Sequence, residues 1–92
     1  MTISIEVLLE NPENLRRVKL ANRGTVERYK RMLVRTPAPP IVLDKNGLIL
    51  DGCHRVCAAL ESGREDIEAI DPLDNLRAEA RTFGGWEDGV WE

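Results

Sequence analysis

The amino-acid sequence predicts a small α+β domain, a short sheet with helices packed on it. Three observations carry this expectation. Apolar runs of strand length recur at residues 3–9, 41–43, 48–50 and 67–70. Two of them are joined by Asp44-Lys45-Asn46-Gly47, a hairpin turn with Asn46-Gly47 as its strongest signal. Cap residues and 3.6-residue apolar spacing mark helices between the runs. With 92 residues the chain suits one domain, and a chain of this size buries roughly 60–65% of its unfolded surface. Hydrophobic residues at 42% and charged residues at 32% suit a globular protein and are too apolar for a disordered one.

Each element follows from local chemistry. Ile3-Ser4-Ile5-Glu6 alternates apolar and polar residues, as a half-exposed strand does, and Asn11-Pro12 breaks the run. Residues 13–20 fit a short helical turn or an irregular loop. Thr25 is the expected N-cap of a basic helix in which Val26, Tyr29 and Leu33 share one face. The prolines at 37, 39 and 40 end that helix, since proline has no amide to donate. Strands at 41–43 and 48–50 flank the hairpin. Asp51 is the expected N-cap of a helix from Cys53 to about Ser62, with Gly63 as its stop. A strand at 67–70 follows, then a last helix at 71–81 opened by Asp71-Pro72. Residues 1–81 form the expected domain and 82–92 a Gly-rich acidic tail. Phe83, Trp86 and Trp91 lie in that tail. They suit either a fold-back onto the small core or a partner-binding or dimerising segment.

Charge and cysteine usage exclude some classes. Thirteen Lys+Arg against sixteen Asp+Glu give −3, which argues against a domain devoted to gripping nucleic-acid backbone while leaving room for a local basic patch. No apolar run approaches the ~20 residues of a membrane span, and the first residues do not resemble a secretory leader. Cys53 and Cys57 are too few for a disulfide scaffold, so reduced thiols in the cytoplasm are expected.

The chemistry concentrates where strand 48–50 runs into Asp51-Gly52 and a helix begins. A helix start offers unpaired amides and partial positive charge, and Gly52 would let a ligand approach the backbone. Arg55 can give phosphate a forked pair of hydrogen bonds, or pair with an acid such as Asp51 or Glu61, and His54 adds a donor or a proton shuttle, or caps the structure. Together they make an expected phosphate site. Cys53 in the same turn is either a buried structural thiol or a nucleophile. The helix start and Arg55 would favour its thiolate, and a bound phosphate would oppose it. Asp51 is the expected Mg²⁺ ligand or nucleophile-orienting group, and Glu10, Glu13 and Asp51 are the candidate catalytic carboxylates. The cations Arg28, Lys30, Arg31 and Arg35 of the basic helix suit either a solvated face or an anion-contacting patch.

Pro39-Pro40-Ile41-Val42, the hairpin, then Leu50-Asp51-Gly52-Cys53-His54-Arg55 followed by Ala58-Ala59 resemble the ParB/sulfiredoxin superfamily. Asn11-Pro12-Glu13-Asn14-Leu15-Arg16 resembles a stretch near the start of ParB-type domains. The resemblance spans roughly residues 3–70 and implies a short mixed sheet with helices packed on it. It also implies nucleotide phosphates bound at the loop and helix start. Gly52-Cys53-His54-Arg55 is similar to the sulfiredoxin loop, whose cysteine attacks a phosphorylated sulfinic acid. Leu50-Asp51-Gly52 is closer to free-serine kinases, which use ADP, and to ParB proteins, which hydrolyse CTP and clamp DNA. Sulfiredoxins supply a lysine, a serine and a threonine to the phosphates from an earlier helix. Thr25, Arg28 and Met32 fall there in this chain, leaving Thr25 and Arg28 as the expected nucleotide contacts. The expected function is a small nucleotide hydrolase or phosphotransferase using ATP or another nucleotide with Mg²⁺. A DNA-associated ParB-like module and a non-catalytic protein-interaction domain are the alternatives.

Overall fold

The computed structural model describes residues 1–74. The element order is β1 (Thr2–Ser4), α1 (Ile5–Leu8), α2 (Pro12–Lys19), α3 (Arg23–Leu33), β2 (Ile41–Leu43), β3 (Ile49–Asp51), α4 (Cys53–Glu61) and β4 (Asp66–Ile70). The four strands form one sheet in the order β1-β4-β2-β3. β1 runs antiparallel to β4, β4 parallel to β2, and β2 antiparallel to β3. The domain is therefore α+β with a mixed sheet, as expected.

Local chemistry moves several boundaries. The alternation at residues 3–9 ends early. Ser4 accepts a hydrogen bond from the Val7 amide and starts α1, so Ile5 and Leu8 reach the core at helical spacing. The undecided stretch after Asn11 is α2, with Asn11 as its N-cap and Pro12 at the first helical position. Thr25 does not cap α3. Asn22 does, accepting from the Thr25 amide at 3.0 Å, so the helix begins earlier than expected. The register of β2 on β3 shifts between Val42 and Leu43. Val42 faces Asp51 and Leu43 faces Ile49, which leaves Leu50 out of the ladder and half-exposed.

The helix stop at Gly63 is as expected. Gly63 has φ 82°, its amide donates to Leu60 O at 3.1 Å, and Arg64 N donates to Ala59 O at 2.9 Å. This paired closure satisfies the last carbonyls of α4 and turns the chain toward β4. Of the expected last helix, only 72–74 falls within the described residues. Its start is capped by Asp71, which accepts from the Asp74 amide at 2.8 Å. The rest of that helix and the tail with Phe83, Trp86 and Trp91 lie outside the described residues.

α4 is the central packing element, lying against α2, α3, β2 and β4. Its Val56, Ala58 and Ala59 are almost wholly buried with Val26 and Tyr29 of α3 and with Ile41 and Ile49 of the sheet. Each large apolar side chain so buried contributes about 1.5–3 kcal/mol. This packing fixes the start of α4 relative to the ends of β2 and β3.

Candidate functional site

β3 ends at Asp51, and Gly52 turns the chain directly into α4. Gly52 has φ 110° and ψ 18°, which L side chains rarely adopt. A Cβ on it would stand 2.6 Å from Ile41 Cγ2 and 3.3 Å from Arg55 Nη2. The space beside this glycine is thus filled by the chain's own Ile41 and Arg55. This corrects the expectation that Gly52 admits a ligand to the backbone.

Arg55 is likewise corrected. Its side chain is 2% exposed. Nη1 donates to Pro39 O at 3.2 Å and to Pro40 O at 2.9 Å, and Nη2 donates to Asp51 Oδ2 at 3.2 Å. The guanidinium faces inward, not toward a phosphate. The proline run explains why, because its backbone enters the core just before β2 and needs donors for its carbonyls. Burial works against the charge of Arg55, and Asp51 is the chief offset. Asp51, expected as the N-cap, is instead the last residue of β3 and this arginine's partner. Its Oδ2 is committed to Arg55, and its side chain is 39% exposed.

Cys53 is half-buried and packs against the core cluster. Burial pushes its thiol above the ordinary range, Arg17 pulls it back, and Asp51 adds to the rise. Of the opposing effects expected on this thiol, burial outweighs the nearby cations, which suits the buried structural thiol. Cys57 is buried, its thiol also pushed up by burial. His54 is half-buried, and no described residue holds its ring by a hydrogen bond.

No side chain caps α4. The first bond of the helix runs from Val56 N to Gly52 O at 2.9 Å. The Cys53 and His54 amides therefore lie ahead of the first intrahelical donor, Val56 N. Thr25 and Arg28 stand on α3, apart from this segment in their bonding. Thr25 Oγ1 lies 3.4 Å from Asn22 Oδ1, and Arg28 is exposed. Among the described residues no three His, Cys, Asp or Glu gather as a metal cluster. A phosphate-bound Mg²⁺ needs only one or two carboxylates, so Asp51 fits that role through its second oxygen. Glu13, a candidate catalytic carboxylate, has both oxygens taken up by Arg16 and Arg17.

Sequence reasoning missed two residues that build this region. Asn14 is fully buried. It donates to Leu8 O at 3.0 Å and Gly47 O at 2.9 Å, and it accepts from Ile49 N at 2.9 Å. It thereby ties α2 to the hairpin and to β3. Arg17 donates to Ile49 O at 2.6 Å and is the cation weighing most on Cys53. The Asn11–Arg16 stretch was the available signal. Its asparagine reads as a turn residue until the fold shows what surrounds it.

No family model, curated protein or solved structure matches the chain.

Proposed function

We propose that this chain is a nucleotide-binding domain of the ParB/sulfiredoxin type. Its phosphate seat is the backbone at the start of α4. The observation that carries this reading is the uncapped helix start, with the Cys53 and His54 amides ahead of the first intrahelical donor, Val56 N. Helix starts of this kind favour anions through their amides and partial positive charge.

In this reading Arg55 is a positioning residue. It locks Pro39, Pro40 and Asp51, and so fixes where the amides point. Arg17 adds positive potential beside Cys53. The ring of His54 adjoins the amides and supplies a donor to the phosphoryl oxygens as charge builds on them. Asp51 would hold Mg²⁺, which neutralises phosphate charge when bound. The activity is hydrolysis or transfer of a terminal phosphate. A sulfiredoxin-like attack by Cys53 fits poorly, because burial pushes its thiol up, away from the attacking thiolate.

The test is a thermal-shift screen with ATP, ADP, CTP and inorganic phosphate, each with and without Mg²⁺. A ligand that binds only the folded state raises the midpoint. We expect a nucleotide to do so, to move the Cys53 and His54 amide resonances, and to lose affinity in His54→Ala. A flat midpoint with every ligand, or shifts confined to other amides, overturns the reading.

A further inference from the structure

Seven glutamates fall within residues 1–74. Glu13, Glu27, Glu61 and Glu68 are ion-paired. Glu6, Glu10 and Glu65 have no such partner among the described residues, and all three line one groove of about 520 Å³. Apolar lining comes from Ile5, Leu9 and Leu60, and Leu60 is 43% exposed. The groove lies at the far end of α4 from Gly52.

Of eleven Lys and Arg within residues 1–74, Arg16, Arg17, Arg23, Lys30 and Arg55 are ion-paired, while Lys19, Lys45 and Arg64 have no ion-pair partner among the described residues. Arg28, Arg31 and Arg35 are exposed and have no ion-pair partner among the described residues. The helical path of α3 continues past Leu33, because Val34 is in the helical region and Arg35 N donates to Met32 O at 3.0 Å. At 3.6 residues per turn these arginines and Val34 fall within about 120° of arc. Val34 is 86% exposed, which makes it the most exposed large apolar residue among those described.

We infer that the end of α3 is the key for this groove in a second copy of the same chain. An exposed valine flanked by three arginines complements in charge an apolar groove where three carboxylates outnumber the single cation Arg64. The two surfaces are neighbours on one molecule, since Arg64 on the groove wall lies with its Nη2 3.5 Å from Leu33 O at the end of α3. A two-fold axis between them lets each copy enter the other, and that interface closes at two chains. The neighbouring carboxylates also weigh against nucleic acid as the partner of the stripe, because they repel a polyanion and attract a surface carrying both signs.

Sedimentation velocity on the full chain tests this at about 0.02 M and about 0.5 M salt, where screening lengths differ several-fold. A dimer is expected at low salt that weakens at high salt. E6K/E10K/E65K and R28E/R31E/R35E each alter only exposed side chains, and circular dichroism checks that they stay folded. Each alone should raise the dimer dissociation constant at least ~10-fold. Mixing the two should restore association, now between unlike chains. A chain that stays monomeric at low salt overturns the inference. So does a dimer that neither variant weakens, or a mixture that fails to recover. A monomer that binds duplex DNA through the arginines assigns the stripe to nucleic acid instead.

Discussion

Asp51 and Arg55 face each other across the glycine that opens α4, with Oδ2 and Nη2 3.2 Å apart. The pair joins the end of β3 to the first turn of the helix, and the same guanidinium holds the Pro39 and Pro40 carbonyls. Arg55→Ala empties a wholly buried side chain's space and orphans the Pro39 and Pro40 carbonyls, and should cost about 3–5 kcal/mol. Asp51→Asn keeps a weaker acceptor and should cost about 1–2 kcal/mol. Denaturant unfolding of both variants checks the order, and an Arg55→Ala loss below that of Asp51→Asn would contradict it.

Gly52→Ala confronts two obstacles at once. Its φ of 110° is strained for alanine, and the new Cβ would meet Ile41 Cγ2 at 2.6 Å. Strain and overpacking together should cost about 2–5 kcal/mol. The comparison is Gly47→Ala, where a Cβ meets nothing within 4 Å and only the backbone strain remains. The measurement is the difference in unfolding free energy between the two variants, and equal losses would remove the role given to Ile41.

Asn14→Leu keeps the volume but orphans Ile49 N, Leu8 O and Gly47 O, all of which the asparagine now satisfies. A loss of about 2–4 kcal/mol is expected. Hydrogen exchange gives a sharper readout, because the Ile49 amide should lose protection before the β4 amides do.

Glu13 and Glu61 sit at about 2, each held there first by a hydrogen bond from arginine, Arg16 for Glu13 and Arg23 for Glu61. A carboxylate with a lowered folded pKa stabilises fully above its ordinary value near 4.5 and loses that contribution as pH falls toward 2. The thermal midpoint should therefore drop through this window. The double variant Glu13→Gln/Glu61→Gln should flatten that drop, and added salt should shrink it, because these pairs are exposed.

Both thiols are pushed above the ordinary range, first by burial. Reaction with a disulfide reagent near pH 8 should therefore be slower than for free cysteine, since the thiolate is the attacking form. Cys53→Ala should retain nucleotide binding, because the proposed contact at that position is the backbone amide. Loss of binding in a folded Cys53→Ala variant would return the thiol to the site.

Short-range signals set much of this fold from the sequence alone. The strand at Ile41–Leu43 and the stop at Gly63 each depend on residues within a few positions. Even the caps that were misplaced, Thr25 for Asn22 and Asp51 for Gly52, err by only a few residues, because several polar residues near a helix start compete to cap it. What the motif residues do was decided by tertiary structure. An arginine in a first helical turn can aim at solvent or inward, and Asp51 four residues earlier offers it a partner without burying it. The choice rests on proline carbonyls 15 and 16 residues away and on Ile41 occupying the space beside Gly52. Local spacing determines which elements form. The direction of a charged side chain waits on which orphaned backbone groups the completed core brings within its reach.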